Sequence, residues 1–199
     1  MGGEWPGAEA RSETGRVEAF SDGVLAVIIT IMALELRAPL GGGFAALRAR
    51  LPALLVYILS FALIGIYWNN HHQLLRAARR VTGAVMWANL HLLFWLSLFP
   101  VLTEWIGEHY RDTAPAAAYG AVGLAAALAY TILTLAIIRA DGSTSPVAAA
   151  IGRDLKGRAS LLAYVAATGL AFVSPWISYA LFAGVAVLWF VPDRRLSRR

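Results

Sequence analysis

The chain contains no cysteine. Disulfides and thiolate metal centres are thereby excluded, and the redox compartment is left open. Charge is also scarce: Asp, Glu, Lys and Arg make up 15% of the 199 residues, where an ordinary soluble domain carries about 25%. The sequence holds no H-E-x-x-H pair, no phosphate-cradling glycine loop and no evident activated nucleophile, so no enzyme chemistry is expected. Low-complexity tracts and convincing internal repeats are missing as well.

What is present is apolar. Hydrophobic residues form 59% of the chain and the mean hydropathy is +0.62, which together read as an all-α integral membrane protein. Apolar stretches at about 19–36, 52–69, 84–106, 115–138, 159–174 and 176–191 predict six helices, most near the 17 to 25 residues that span a hydrocarbon core. Only Ser174-Pro175 separates the last two. Six crossings put Arg11, Arg16, Arg76, Arg79, Arg80, Arg139, Arg153, Lys156, Arg158 and the four arginines of DRRLSRR on one side, leaving Arg37, Arg48, Arg50 and Arg111 on the other. By the positive-inside rule both termini are then cytoplasmic. Residues 1–15 do not resemble a cleaved signal peptide and read as a mobile tail, residues 16–191 as one membrane domain and 192–199 as a basic tail. The net charge of +5 is a topology signal with anionic-lipid contact, not a nucleic-acid footprint.

The first helix, RVEAFSDGVLAVIITIMALEL over residues 16–36, carries a carboxylate near its start. A charge in or near a bilayer costs several kcal/mol unless it faces protein, water or a partner, so Asp22 needs one. At about 100° per residue, Val27, Thr30, Ile31 and Leu34 fall within roughly 100° of one another, whereas Asp22 lies about 140° from Val27. One face suits a pore axis and the other suits neighbouring helices. Trp68, His71 and His72 sit where the second helix meets a basic loop, and the up-and-down order brings Asn89 of the third helix to the depth of Asp22 and His71. These groups are expected to hydrogen-bond between helices, with Arg16 as a further partner from a neighbouring helix or subunit. A metal site from His71, His72, His91 and Asp22 is not expected, because adjacent histidines point about 100° apart. Glu35 is placed at the outer interface, where it attracts cations or simply snorkels. Gly120 and Gly123 on the Ala-rich fourth helix mark close helix packing.

Arg16, Phe20, Ser21, Asp22 and Gly23 form an R-x-x-x-F-S-D-G pattern at the head of the first helix. With Trp68-x-x-His71, Asn89-Leu90 and Leu98-Phe99-Pro100, this resembles the transmembrane-protein-175 family, the lysosomal potassium channels and their bacterial relatives. The resemblance covers roughly residues 16–103; the last three helices match in number and hydrophobicity. A single six-helix unit looks like the bacterial form, a homotetramer in the cell (inner) membrane, whereas animal members carry two units per chain.

The resemblance implies a leak-type potassium channel without a re-entrant filter loop, and the chain has no TVGYG-like segment. It needs no cofactor; its partners are its own copies, lipids and monovalent cations. The matching positions are Val27 for the narrowest apolar ring, Thr30 for a hydroxyl ring, then Ile31 and Leu34. Arg16, Phe20, Ser21, Asp22, Trp68, His71 and Asn89 would hold the helices together. Val27 stands where relatives more usually carry Ile or Leu, and Leu25 where bacterial relatives often carry Phe. The alternative is a proton-coupled secondary transporter that uses Asp22, His71 and Glu35 as relays.

Overall fold

The computed structural model describes residues 6–151 and 155–190, and its described elements are helical: α1 (Pro6–Leu34), α2 (Phe44–Ala77), α3 (Gly83–Leu96), α4 (Phe99–Glu108), α5 (Thr113–Asp141), α6 (Pro146–Ile151), α7 (Leu155–Leu170) and α8 (Pro175–Phe190). The basic tail expected at 192–199 lies outside the described residues, as do residues 1–5.

Two helices are longer than their apolar cores. α1 begins at Pro6, so residues 6–15, expected as tail, continue the helix. Proline suits a first turn because its missing N–H is not needed there, and the Ala, Glu and Arg that follow are good helix formers. α2 starts at Phe44 and runs through Pro52. That proline leaves the Arg48 carbonyl without its usual donor, which is tolerable where water can serve it.

The expected third helix is two elements. Pro100 sits in the first turn of α4 and cannot donate to the Leu96 carbonyl, so the ladder breaks. Ser97 N still reaches Leu93 O at 2.9 Å, the Leu98 N–H turns to Trp95 O at 3.3 Å, and Ser97 Oγ covers Phe94 O at 2.7 Å.

Four segments, Glu13–Leu34, Phe44–Ala77, Gly83–Glu108 and Thr113–Asp141, have the length and hydropathy to cross a membrane. α7 and α8 are described over 16 residues each, and each meets the edge of the described residues at one end. They form a pair beside α5. The six-segment layout is consistent with these helices, α3 and α4 together forming the third segment of a multi-pass membrane protein.

α5 is the hub, touching α3, α4, α7 and α8, while α1 rests at the edge on α2, α3 and α4. The hub is held by close approach. A Cβ added at Gly123 would come within 2.6 Å of the Tyr164 ring, and one at Gly120 within 2.5 Å of Thr168 Oγ1. The apolar core joins Leu25, Ile28 and Met32 of α1 to Leu63 and Ile64 of α2, Leu92 and Leu96 of α3, and Phe99 and Ile106 of α4.

Candidate functional site

α1 has two faces. Ser21, Leu25, Ile28 and Met32 recur at helical spacing and are buried against the bundle. On the other side Val27 is 54% exposed, Ile31 41% and Leu34 82%, with Thr30 exposed between them. A helix in a folded chain leaves such a stripe of apolar side chains uncovered only where lipid, another copy or an aqueous path meets it. Leu25 belongs to the buried face, so side-chain size at that position bears on packing, not on the exposed stripe.

Thr30 departs from apolar character in a defined way. Its Oγ1 donates to Val27 O at 2.9 Å. The backbone thus takes the hydroxyl proton and the oxygen lone pairs are left to face outward.

The anchors behind this stripe are polar and directional. Asn89 Nδ2 donates to Ser21 Oγ at 2.9 Å, and Ser21 Oγ in turn donates to Val17 O at 2.8 Å. Because the Asn89 amide points its nitrogen at Ser21, its Oδ1 faces His71 Nε2 at 2.7 Å and accepts the proton that Nε2 carries. Ser21, His71 and Asn89 are all buried, and together they tie α1, α2 and α3. Asp22 does not join them. It accepts instead from Trp68 Nε1 at 2.9 Å, while His72 Nδ1 lies 2.6 Å from Glu18 Oε1.

Arg16 and Phe20 stand outside both sets. They line, with Glu13, Val17, Met86 and Leu90, an open hollow of about 590 Å³ between α1 and α3, and Arg16 makes no ion pair among the described residues. His91 turns away from the other histidines and accepts from Trp95 Nε1 at 2.9 Å.

A second buried chain had no sequence signal. Thr103 Oγ1 donates to Ser60 Oγ at 2.7 Å, Ser60 meets the Tyr119 hydroxyl at 2.9 Å, and Thr103 also lies 3.8 Å from Met32 Sδ. Three helices contribute, each with one small or aromatic hydroxyl at an unrelated position.

At the other end of α1, Glu35 Oε2 is buried without a hydrogen-bond partner. Desolvation first, and the neighbouring Glu104 second, hold its carboxyl above the ordinary glutamate range. Arg37 pairs with Glu104 at 3.0 Å and Glu108 at 3.6 Å in the same pocket. Asp22 and Glu35 are thirteen residues apart on one helix, roughly 20 Å, and no hydrogen-bonded relay joins them among the described residues.

The arrangement matches known proteins. Residues 16–100 match the family model described as the endosomal/lysosomal potassium channel TMEM175. A potassium channel of Chryseobacterium sp. (strain P1-3) is 48% identical over 184 residues, covering 92% of this chain and 96% of that protein. One from Streptomyces collinus is 37% identical, covering 90% and 92%. The crystal structure of a lysosomal potassium-selective channel TMEM175 homolog from Chamaesiphon minutus superposes with a TM-score of 0.80 at 30% identity, covering 92% of this chain and 98% of that one. With identity sustained along nearly the whole length and the same fold, this chain belongs to the TMEM175 family of ion channels.

Proposed function

We propose that the protein is a potassium-permeable cation channel of the bacterial inner membrane, a homotetramer with cytoplasmic termini in which four copies of α1 surround the pore. The observation that carries this reading is the division of α1 into a buried stripe, Ser21, Leu25, Ile28 and Met32, and an uncovered one, Val27, Thr30, Ile31 and Leu34. The names of full-length relatives as potassium channels support it.

Four apolar side chains around a narrow aqueous path expel water and block ions, and a small rotation or dilation rewets it. Val27 and Ile31 supply that constriction. Thr30 oxygens, with their protons turned into the backbone, replace part of the hydration of a potassium ion, while the more strongly hydrated sodium ion loses more on entry. The Ser21–Asn89–His71 chain fixes the rotation of α1 so that these side chains meet the axis. Glu35 and its neighbours Glu104 and Glu108 set the potential at the outer mouth.

Reconstitution into liposomes, with potassium, sodium, caesium and protons offered separately, tests the reading. Flux that follows the potassium gradient without saturation and without a proton gradient is expected. Flux that requires a proton gradient and saturates would instead establish a carrier.

A further inference from the structure

One turn of α1 sets Glu18 and Asp22 four residues apart on the same face, and His72 reaches them from α2. One ligand atom from each, two carboxylate oxygens and a ring nitrogen, all lie within 4.8 Å of one another. His72 Nδ1 approaches Glu18 Oε1 to 2.6 Å, yet this nitrogen is closed to solvent and has no acceptor at hydrogen-bonding angle. At 2.6 Å the two groups meet without hydrogen-bonding geometry, so no directed bond commits one to the other. Trp68 holds both other sides in place: its Nε1 bonds Asp22 Oδ1 at 2.9 Å, and its ring stacks on His72 at 6.0 Å and 24°.

We propose that Glu18, Asp22 and His72 form a binding site for a divalent transition-metal ion of the zinc class, bridging α1 and α2. Two carboxylates and an imidazole are the donor set such ions take, with ligand distances of about 2.0–2.2 Å and a water in the fourth position. Calcium and magnesium favour oxygen alone. Opening the His72–Glu18 contact to the roughly 3.4 Å separation of tetrahedral ligands needs only side-chain adjustment. The side chains of His72 and Glu18 are 34% and 21% exposed, so an ion reaches the buried Nδ1 once the His72–Glu18 contact opens.

Among the described residues little else competes. There is no cysteine and there are four histidines. His71 is committed to Asn89, His91 accepts from Trp95, and His109 lies on the surface 3.3 Å from Asp112. The site lies off the Val27–Leu34 stripe, and its existence does not depend on how ions permeate.

Zinc titration of the chelator-stripped full chain in detergent, by calorimetry and by thermal unfolding, tests this. About one equivalent per chain, micromolar affinity and a raised Tm are expected for the unaltered protein. His72→Ala and Glu18→Gln should each weaken binding by about tenfold or more, and His109→Ala should leave it unchanged. Glu18→Gln is near-isosteric and keeps the test decisive if His72→Ala does not fold. Equal binding by the unaltered chain and Glu18→Gln, or no binding below the millimolar range, would overturn the site and leave an ion pair and a hydrogen bond only.

Discussion

Asn89 holds two partners at once: its Nδ2 donates to Ser21 Oγ at 2.9 Å while its Oδ1 accepts from His71 Nε2 at 2.7 Å. An amide can serve a hydroxyl and an imidazole simultaneously because it carries a donor and an acceptor on one planar group. No aliphatic residue of its size does so. In a membrane the loss is felt fully, since water is not at hand to replace either bond.

Asn89→Leu should therefore destabilise the folded chain by about 1–3 kcal/mol, the cost of leaving the buried His71 N–H unpaired. A lowered thermal unfolding midpoint in detergent measures it. Ser21→Ala, which orphans one Asn89 N–H, should have a smaller effect of the same sign. Unchanged midpoints for both would show that this chain does not hold α1 in place.

Val27→Ala shortens a side chain that is more than half exposed on the stripe assigned to the pore. Single-channel recordings in bilayers should show higher conductance and weaker preference among cations. Thr30→Val removes the hydroxyl at nearly constant volume and should lower the potassium-to-sodium permeability ratio while preserving assembly.

Glu35 gives a pH signature. Its carboxyl titrates above the ordinary glutamate range in the folded protein, so between the ordinary and the raised value the folded state holds a proton that the unfolded chain has lost. Stability then falls as pH rises through that interval. Glu35→Gln should flatten this segment of a Tm-against-pH profile and leave the protein at least as stable as the unaltered chain at neutral pH. An unaltered slope would place the titrating group elsewhere.

The α5–α7 contact tolerates no added volume. Gly123→Leu, against the Tyr164 ring, should cost at least about 1–3 kcal/mol by overpacking and reduce the yield of assembled protein in size-exclusion chromatography. Gly169→Ala, where an added Cβ meets nothing within 4 Å, is the control and should be neutral.

The legibility of the molecule follows the range of its interactions. Apolar runs located the long helices because the energetic demand of a bilayer is local and additive along the chain. Their ends were less legible. Residues 6–15 are helical although they are polar, since helix propensity and membrane hydropathy are different quantities, and the break between α3 and α4 comes from one proline acting on a carbonyl four residues earlier.

At the candidate site, residue types on one helix sufficed to separate the stripe of Val27, Thr30, Ile31 and Leu34 from the face that carries Ser21. Periodicity alone yields that geometry. Partner choice was another matter. Asn89, His71 and Asp22 share a depth, but which of Trp68 or Asn89 meets Asp22 depends on the rotation and spacing of three helices, and the hydroxyl chain of Ser60, Thr103 and Tyr119 left no trace in any single segment. That Glu18 lies beside Asp22 on one face, and that His72 and not His71 reaches them, depends on how α1 packs on α2.

Hydropathy, the charge asymmetry and the F-S-D-G opening of the first helix were enough to establish membrane residence, an all-helical class and the family, because each depends on the order of residues along the chain. Only the tertiary structure decided which side chains pair, that Pro100 splits the third segment and that α1 keeps its second stripe uncovered. Those outcomes depend on distances between helices, which are set by packing of the whole bundle and by no segment alone.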